Sequence, residues 1–342
     1  MNKLKVSVLF FLLLAAFLLD IALGSVHIPL KEVITALFTP KSGNDTWVYI
    51  IQKIRLPKAI TAVIVGSGLS VSGLQMQTLF RNPLADPSVL GITAGAALGV
   101  ALVMLSAGSV TTLYTIQALN ISGSWLIIVA SSVGAALVMF VVVLISSSLK
   151  DNVVVLIVGV MIGNITLSII SIWQYFSAPE QIKDYLMWTF GSLGGITGIQ
   201  LLILAVVVGA GLFISFLSSK LLDALLLGDN YARSMGLTLK RARLIIIAST
   251  SILAGGITAF CGPIGFIGIA VPHLARAIFN TSSHRFLIPA CCLIGTVLML
   301  VCDITAQLPG SQTVLPINVI TALIGSPVVI WIIARPKRLR GF

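Results

Sequence analysis

Ten apolar runs separated by short polar breaks constrain this chain more than any other feature in it. They lie at about 6–24, 58–80, 89–107, 124–147, 154–176, 199–217, 243–261, 264–280, 286–306 and 316–334. Each is close to the ~20 residues that an α-helix needs to cross the hydrocarbon core of a bilayer. The expected fold class is therefore all-α: a polytopic membrane helix bundle of about ten transmembrane helices per subunit. Composition agrees, with 58% hydrophobic and 9% charged residues, where a soluble domain carries about 25% charged. In water such a chain would expose large apolar patches and associate; lipid removes the conflict. The first run begins like a secretory signal, with Lys3 and Lys5 ahead of Val6–Leu23. Its apolar stretch exceeds the core of a cleaved signal and no small-residue cleavage site follows, so it reads as an uncleaved first span. No low-complexity linker divides the chain, and residues 1–342 read as one transmembrane domain.

An even number of spans puts both termini on one side. Of the 21 Lys and Arg residues, fifteen then fall on the side of the termini and six on the other. Basic residues concentrate in cytoplasmic loops, so both termini are expected in the cytoplasm. Two connections exceed a simple turn. Residues 25–57 lie outside and include an amphipathic segment, Pro29–Phe38. Residues 218–242 lie inside and read as two short helices with a bend at Gly228 and a stop at Gly236, since glycine often ends a helix.

The net charge of +11 follows from the same loop bias. No basic helix with interleaved aromatics suggests nucleic acid. Cys261, Cys291, Cys292 and Cys302 lie in apolar runs without Cys-x-x-Cys spacing, and read as small buried hydrophobes. His27, His273 and His284 are dispersed, so neither a metal site nor a catalytic pair is expected. No phosphate-cradling Gly-x-x-x-x-Gly-Lys-Ser/Thr loop occurs. Catalytic, metal and cofactor-binding residues are therefore expected to be absent. Asp20 and Asp303 are the only acidic residues inside runs. Their places near the outer ends favour interface residues over a proton relay.

Within the fifth run Asn164, Ser168, Ser171 and Tyr175 follow steps of four, three and four, so they share one helix face. A polar stripe cannot face lipid cheaply. Two readings stay open: the wall of a solute pathway, or hydrogen bonding between helices at typically ~0.6 kcal/mol per bond. The tenth run presents Asn318, Thr321, Gly325 and Pro327. Small residues recur at helix-packing spacing at Gly91, Gly95 and Gly99, at Gly159 and Gly163, and at Gly66, Ser70 and Gly73. Ordinary close packing accounts for them, and a bundle that can rock is the alternative.

Taken together, several segments resemble the FecCD-like permeases of ABC importers for iron–siderophores, haem and cobalamin. They are Arg55-Leu56-Pro57-Lys58; Gly73-Leu74-Gln75-Met76-Gln77; Asn82-Pro83-Leu84-Ala85-Asp86-Pro87 with Leu90-Gly91; and Leu227-Gly228 with Ala232-Arg233-Ser234-Met235-Gly236. Gly262-Pro263-Ile264-Gly265-Phe266-Ile267-Gly268 with Pro272-His273-Leu274-Ala275-Arg276, and Leu315-Pro316 with Thr321 to Pro327, complete the series. The matches run in family order from about residue 55 to 331.

The resemblance implies a homodimer with a central pathway, two cytoplasmic ATPase subunits that use the ATP, and an extracytoplasmic solute-binding protein. It implies the bacterial inner membrane as location and no cofactor bound directly. It assigns ATPase coupling to Leu227, Gly228, Ala232, Arg233, Met235 and Gly236. It assigns a cytoplasmic gate to Asn82, Leu84, Asp151, Asn152 and Val153. Pathway residues would be Asn164, Ser168, Ser171, Tyr175, Asn318 and Thr321. Lys53, Arg55 and Lys58 would grip the binding protein. Two departures bear on the outer face. Ala306-Gln307-Leu308 stands where members carry Ala-Arg-Leu, and Val314-Leu315-Pro316-Ile317-Asn318 where they carry Glu-Leu-Pro-x-Gly. A secondary transporter driven by an ion gradient is the rival expectation from another class, and the identity of the chelate is left open.

Overall fold

The structure is a computed structural model that describes residues 3–24, 26, 28–38, 45–106, 123–149, 152–196, 198–308 and 313–334. Among these no strand occurs. Each of the ten apolar runs coincides with a helix: α1 (Lys3–Ala22), α4 (Leu56–Phe80), α5 (Ile92–Met104), α6 (Gly123–Ser148), α7 (Asn152–Tyr175), α9 (Ile199–Leu217), α12 (Leu239–Cys261), α13 (Ile267–Phe279), α14 (His284–Ala306) and α15 (Ile317–Ile333). Among the described residues, seven helices are long and apolar enough to cross a membrane alone; α5, α13 and α15 are shorter apolar helices.

The shorter helices have local causes. The third run begins with a 3-10 turn, Pro87–Leu90, capped by Asp86 accepting from Ser88 N at 3.0 Å. The helix proper then starts at Ile92. In the eighth run Phe266 takes φ 68°, so the helix starts only at Ile267. Proline inside α13, α14 and α15 is tolerated because neighbouring helices shelter the freed backbone groups.

The connections differ from simple loops. α2 (Leu30–Phe38) is the expected amphipathic segment, with Val33 and Ala36 buried. α3 (Asp45–Tyr49) continues through a π-helical stretch, Ile50–Arg55, directly into α4. The continuous rod of 36 residues is about 54 Å long at ~1.5 Å per residue, well beyond the ~30 Å hydrocarbon core. The second span thus extends beyond the bilayer, where the sequence reading had a loop up to residue 57. α8 (Pro179–Thr189) follows α7, its Tyr185 buried against α5. α10 (Ser219–Leu226) and α11 (Asp229–Ser234) form the elbow expected inside.

α4 is the centre of the bundle: every residue from Val65 to Phe80 is buried. Its small residues meet other helices at the backbone. Cβ atoms added at Gly66 and Gly295 would each run into the other's carbonyl, and one at Gly73 would overlap Gly268. Between them Ser70 Oγ donates to Cys291 O at 2.8 Å. α5 and α6 form the most extensive helix pair, with Gly95 and Gly134 face to face. The small-residue spacing is therefore helix packing. Buried polar groups on α4 are satisfied: Gln75 Nε2 donates to Ser249 Oγ at 3.2 Å and Thr250 Oγ1 to Gln75 Oε1 at 2.9 Å. Gln77 donates to Ile269 O at 3.1 Å and accepts from Arg276 at 2.8 Å.

Gly295→Leu should destabilise by about 1–3 kcal/mol or more, because a backbone carbonyl cannot move aside as a side chain can. Gly209→Leu, where an added Cβ meets nothing within 4 Å, should be silent. Thermal unfolding of the purified protein in lipid nanodiscs measures both. Equal melting temperatures for the two variants would refute the backbone-contact account.

Candidate functional site

The described ends of the helices fall into two groups. At one end lie Lys5, the end of α4, the elbow and the start of α14. Lys5 Nζ donates to Ile278 O at 2.6 Å, a cation on the C-terminal turn of α13, where helix carbonyls lack partners. At the other end lie Arg55, Lys58, Asp303 and Gln307.

The elbow presents an apolar surface at a polar end of the molecule. Leu227, Tyr231 and Met235 are exposed, with Arg233, Ser234 and Gly236 exposed beside them; Ala232 is buried and anchors α11. Gly228 has φ 113° and Gly236 φ 83°, which side chains rarely adopt. These two bends turn α11 back towards α12. Three ties hold the elbow to the bundle. Arg81 Nη2 meets Asp229 Oδ1 at 2.5 Å, and Arg81 Nε donates to Leu225 O at 3.2 Å. Asp223 Oδ1 accepts from the His284 backbone N–H at 2.7 Å and lies 2.7 Å from His284 Nδ1. The opposite ring nitrogen of His284 lies 2.8 Å from Thr78 Oγ1 on α4. Burial pushes the Asp223 carboxyl up, but the hydrogen bonds from His284 outweigh it and hold the group below its ordinary value. Asp223 thus caps α14 from another helix, a role invisible to a scan for local capping residues.

The described residues expected at a cytoplasmic gate lie in one neighbourhood. Asn82 Oδ1 accepts from Leu84 N at 3.0 Å, and Pro83 O lies 2.8 Å from His273 Nε2 on α13. Asn152 Nδ2 donates to Leu79 O at 3.0 Å, which brings the start of α7 beside the end of α4. Leu84 and Val153 are exposed. Asp151 lies outside the described residues.

On α7, Val155, Gly159, Gly163, Thr166 and Ile170 are buried, while Asn164, Ser168, Ser171 and Tyr175 are exposed. Ser168 and Ser171 hydroxyls return to their own helix, to Asn164 O at 2.9 Å and Leu167 O at 3.0 Å. Within one chain the stripe makes no bond to another helix among the described residues. Asn164, exposed on an apolar helix, needs water or a second protein against it.

Of the two α15 residues expected on a pathway, Asn318 lines cavities and Thr321 does not. Asn318 Oδ1 accepts from Gly265 N at 3.1 Å. It lines both a cavity of about 500 Å³ along α15 with Phe266, Leu323 and Ile330 and an inner cavity of about 190 Å³ with Asp86, Ser88, Thr93 and Thr258. Thr321 is fully buried and donates to Asn318 O at 3.0 Å. Within this chain Thr321, expected on a pathway wall, faces the protein and steadies the turn that carries Asn318. Among the described residues α7 and α15 share no packed interface within the chain.

The outer cations also differ from expectation. Arg55 is 7% exposed, and its guanidinium donates to Ile21 O and Ala22 O at 2.8 Å each, and to Val26 O. It closes the C-terminus of α1, whose last carbonyls lack intrahelical donors. Lys58 pairs with Asp303 at 2.9 Å, the two side chains 17% and 3% exposed. Of the three expected docking cations, Lys53 alone is exposed. Asp20 and Asp303, expected near the outer ends of their spans, are each 2% exposed and so are enclosed by protein at that end. Gln307 explains how they are accommodated: its Nε2 donates to Asp20 Oδ1 and Asp303 Oδ2, 3.0 Å each. Sequence spacing could not reveal this cluster, because Asp20, Lys58 and Asp303 come from three distant spans.

Arg55→Ala should therefore act on folding. Hydrogen bonds from a charged group contribute about 1.5–3 kcal/mol, so unfolding in nanodiscs should be easier by at least about 2 kcal/mol. An unchanged melting temperature would return Arg55 to the role of a surface contact.

Comparison with known proteins adds to this geometry. The model of the FecCD transport family matches residues 12–335. The hemin transport system permease protein HmuU of Yersinia pestis is 32% identical over 329 residues, covering 96% of each chain. The vitamin B12 import system permease protein BtuC of Shigella boydii is 32% identical over 328 residues, covering 96% of this chain and 94% of that one. Among solved structures, an inward-facing putative metal-chelate type ABC transporter aligns with a TM-score of 0.79 and 25% identity, covering 96% and 97% of the two chains. On this evidence the chain, a multi-pass membrane protein, belongs to the FecCD transport family.

Proposed function

We propose that this chain is the permease subunit of an ATP-binding cassette importer. It moves a metal chelate of the iron–siderophore, haem or cobalamin kind across the bacterial inner membrane. Its whole length acts as one transmembrane permease domain, with both termini in the cytoplasm. Two copies enclose the pathway, two cytoplasmic ATPase subunits dock on the elbow, and a solute-binding protein delivers the chelate from outside. No chemistry occurs in this chain; ATP is hydrolysed by the partner.

The observation that carries this reading is the elbow, with exposed Leu227, Tyr231 and Met235 around Arg233. Exposed apolar residues rimmed by polar ones mark protein contacts, and this patch is tied to the residues beside the gate. The wall fits the same reading. α7 and α15 contain no Asp, Glu, Lys or Arg, so a second copy brought against Asn164 and Asn318 would make an uncharged passage. Such a passage holds a chelate weakly enough for release. A gradient-driven carrier would instead place ion-coordinating groups near the midplane.

Proteoliposomes containing the chain, its ATPase and its binding protein test the reading, with labelled haem, cyanocobalamin and a ferric hydroxamate as probes. Uptake of one of them should require ATP and ignore collapse of proton and sodium gradients. Met235→Asp should weaken ATPase association about tenfold or more, as at a truncated interface anchor. Uptake sustained by a gradient without ATP would overturn the importer reading.

A further inference from the structure

The end of α4 holds a conformational anomaly that its own helix does not explain. Arg81 has φ 47° and ψ 37°, in the left-handed region. A side chain there costs roughly 1–2 kcal/mol, and glycine or asparagine is the usual occupant of such a position. Closing α4 requires only the Arg81 N–H, which bonds to the carbonyls of Gln77 and Thr78. No backbone role calls for an arginine.

The guanidinium spans the bend of the elbow. It takes Leu225 O in the last turn of α10 and Asp229 Oδ1 in the first turn of α11, on the two sides of Gly228. The ion pair is open to solvent, its side chains 42% and 33% exposed, and such pairs contribute about 0–1 kcal/mol. The ion pair and the half-buried bond to Leu225 O at 3.2 Å together are about the size of the backbone strain, so static stability gains little from them. Strain kept at a position that side-chain contacts barely offset points to function.

The next residues are Asn82, Pro83 and Leu84. They form a stiff unit: Asn82 Oδ1 holds Leu84 N, Asn82 O holds Ala85 N at 3.1 Å, and Pro83 O meets His273. A shift of the elbow thus reaches this unit through one side chain and one peptide bond.

We propose that Arg81 is the positioning residue that conveys movement of the ATPase-docking elbow to the loop Asn82–Leu84, with Asp229 and Leu225 O as its grips; the proposal rests on the importer reading above. Arg81 touches no solute and acts only by keeping the elbow and the loop in step.

Arg81→Gly separates this role from a structural one. Glycine suits the left-handed backbone, so the variant should keep or raise the melting temperature of the wild type. In the full transporter, with ATPase and binding protein in proteoliposomes, ATP hydrolysis should persist. Imported probe per ATP should fall at least about fivefold, the lower range of inter-site coupling. The probe is whichever of haem, cyanocobalamin or ferric hydroxamate the wild type accumulates. The double variant Arg81→Asp with Asp229→Arg should recover part of the ratio. A wild-type ratio in Arg81→Gly overturns the proposal. So does a loss of uptake that tracks a lowered melting temperature, which would make Arg81 a folding residue. Absence of ATP-driven uptake in the wild type would count instead against the importer reading.

Discussion

Backbone-to-backbone contact between helices is the interaction on which the rest of this structure depends. In lipid, apolar side chains gain nothing from leaving the solvent, so association relies on close packing and a few hydrogen bonds. Gly66 on Gly295, Gly73 on Gly268 and Gly95 on Gly134 supply that packing. They bring α4 against α13 and α14, and α5 against α6. α7 is seated differently. It keeps one buried line through Gly159 and Gly163 and leaves its opposite face open. The helix with an incomplete set of neighbours is also the one with the polar stripe.

Chain ends present the second constraint. A helix that stops at the membrane boundary leaves carbonyls or N–H groups without partners, and here other segments supply them. Arg55 closes α1, Lys5 closes α13 and Asp223 caps α14. Arg243, at 7% exposure, donates to Leu149 O beyond the end of α6 at 2.9 Å. Charged residues that would ordinarily read as surface contacts are thus used as long-range caps. Arg55 belongs with them because the π-helical stretch before α4 ends on it, beside the terminus of α1.

This division marks what was legible in the sequence. Ten apolar runs correspond to ten helices because length and hydropathy are local properties. The elbow was legible through Gly228 and Gly236, and the α7 stripe through its spacing. The extension of the second span to Asp45 was hidden, because residues 45–55 are too polar to count as a span while still being helical. The fates of Arg55, Lys58, Asp20, Asp303 and Thr321 were hidden for another reason. Each is decided by a partner in a distant segment, and a charge beside an apolar run looks the same whether it faces water or a buried carboxylate. Gln307 was visible as a departure from the family pattern; its bridge between two buried carboxylates was not.

The polar networks at the two ends have one property in common that bears on motion. Lys58 and Thr78 both lie on α4, and their partners Asp303 and His284 both lie on α14. The same two helices touch at Gly66 and Gly295 midway. A pair fixed at both ends and in the middle cannot slide or splay without breaking a buried contact, so it moves as one body. Arg81 is attached to the end of that body, and its side chain reaches out to the elbow. Within the pair the contacts are buried and close-packed, and buried His284 ties α10 to it through Asp223, whereas the link from Arg81 to Asp229 on α11 is half exposed. The weakest joint in this part of the molecule therefore lies where a moving partner would act, between a rigid helix pair and an elbow bent at glycine.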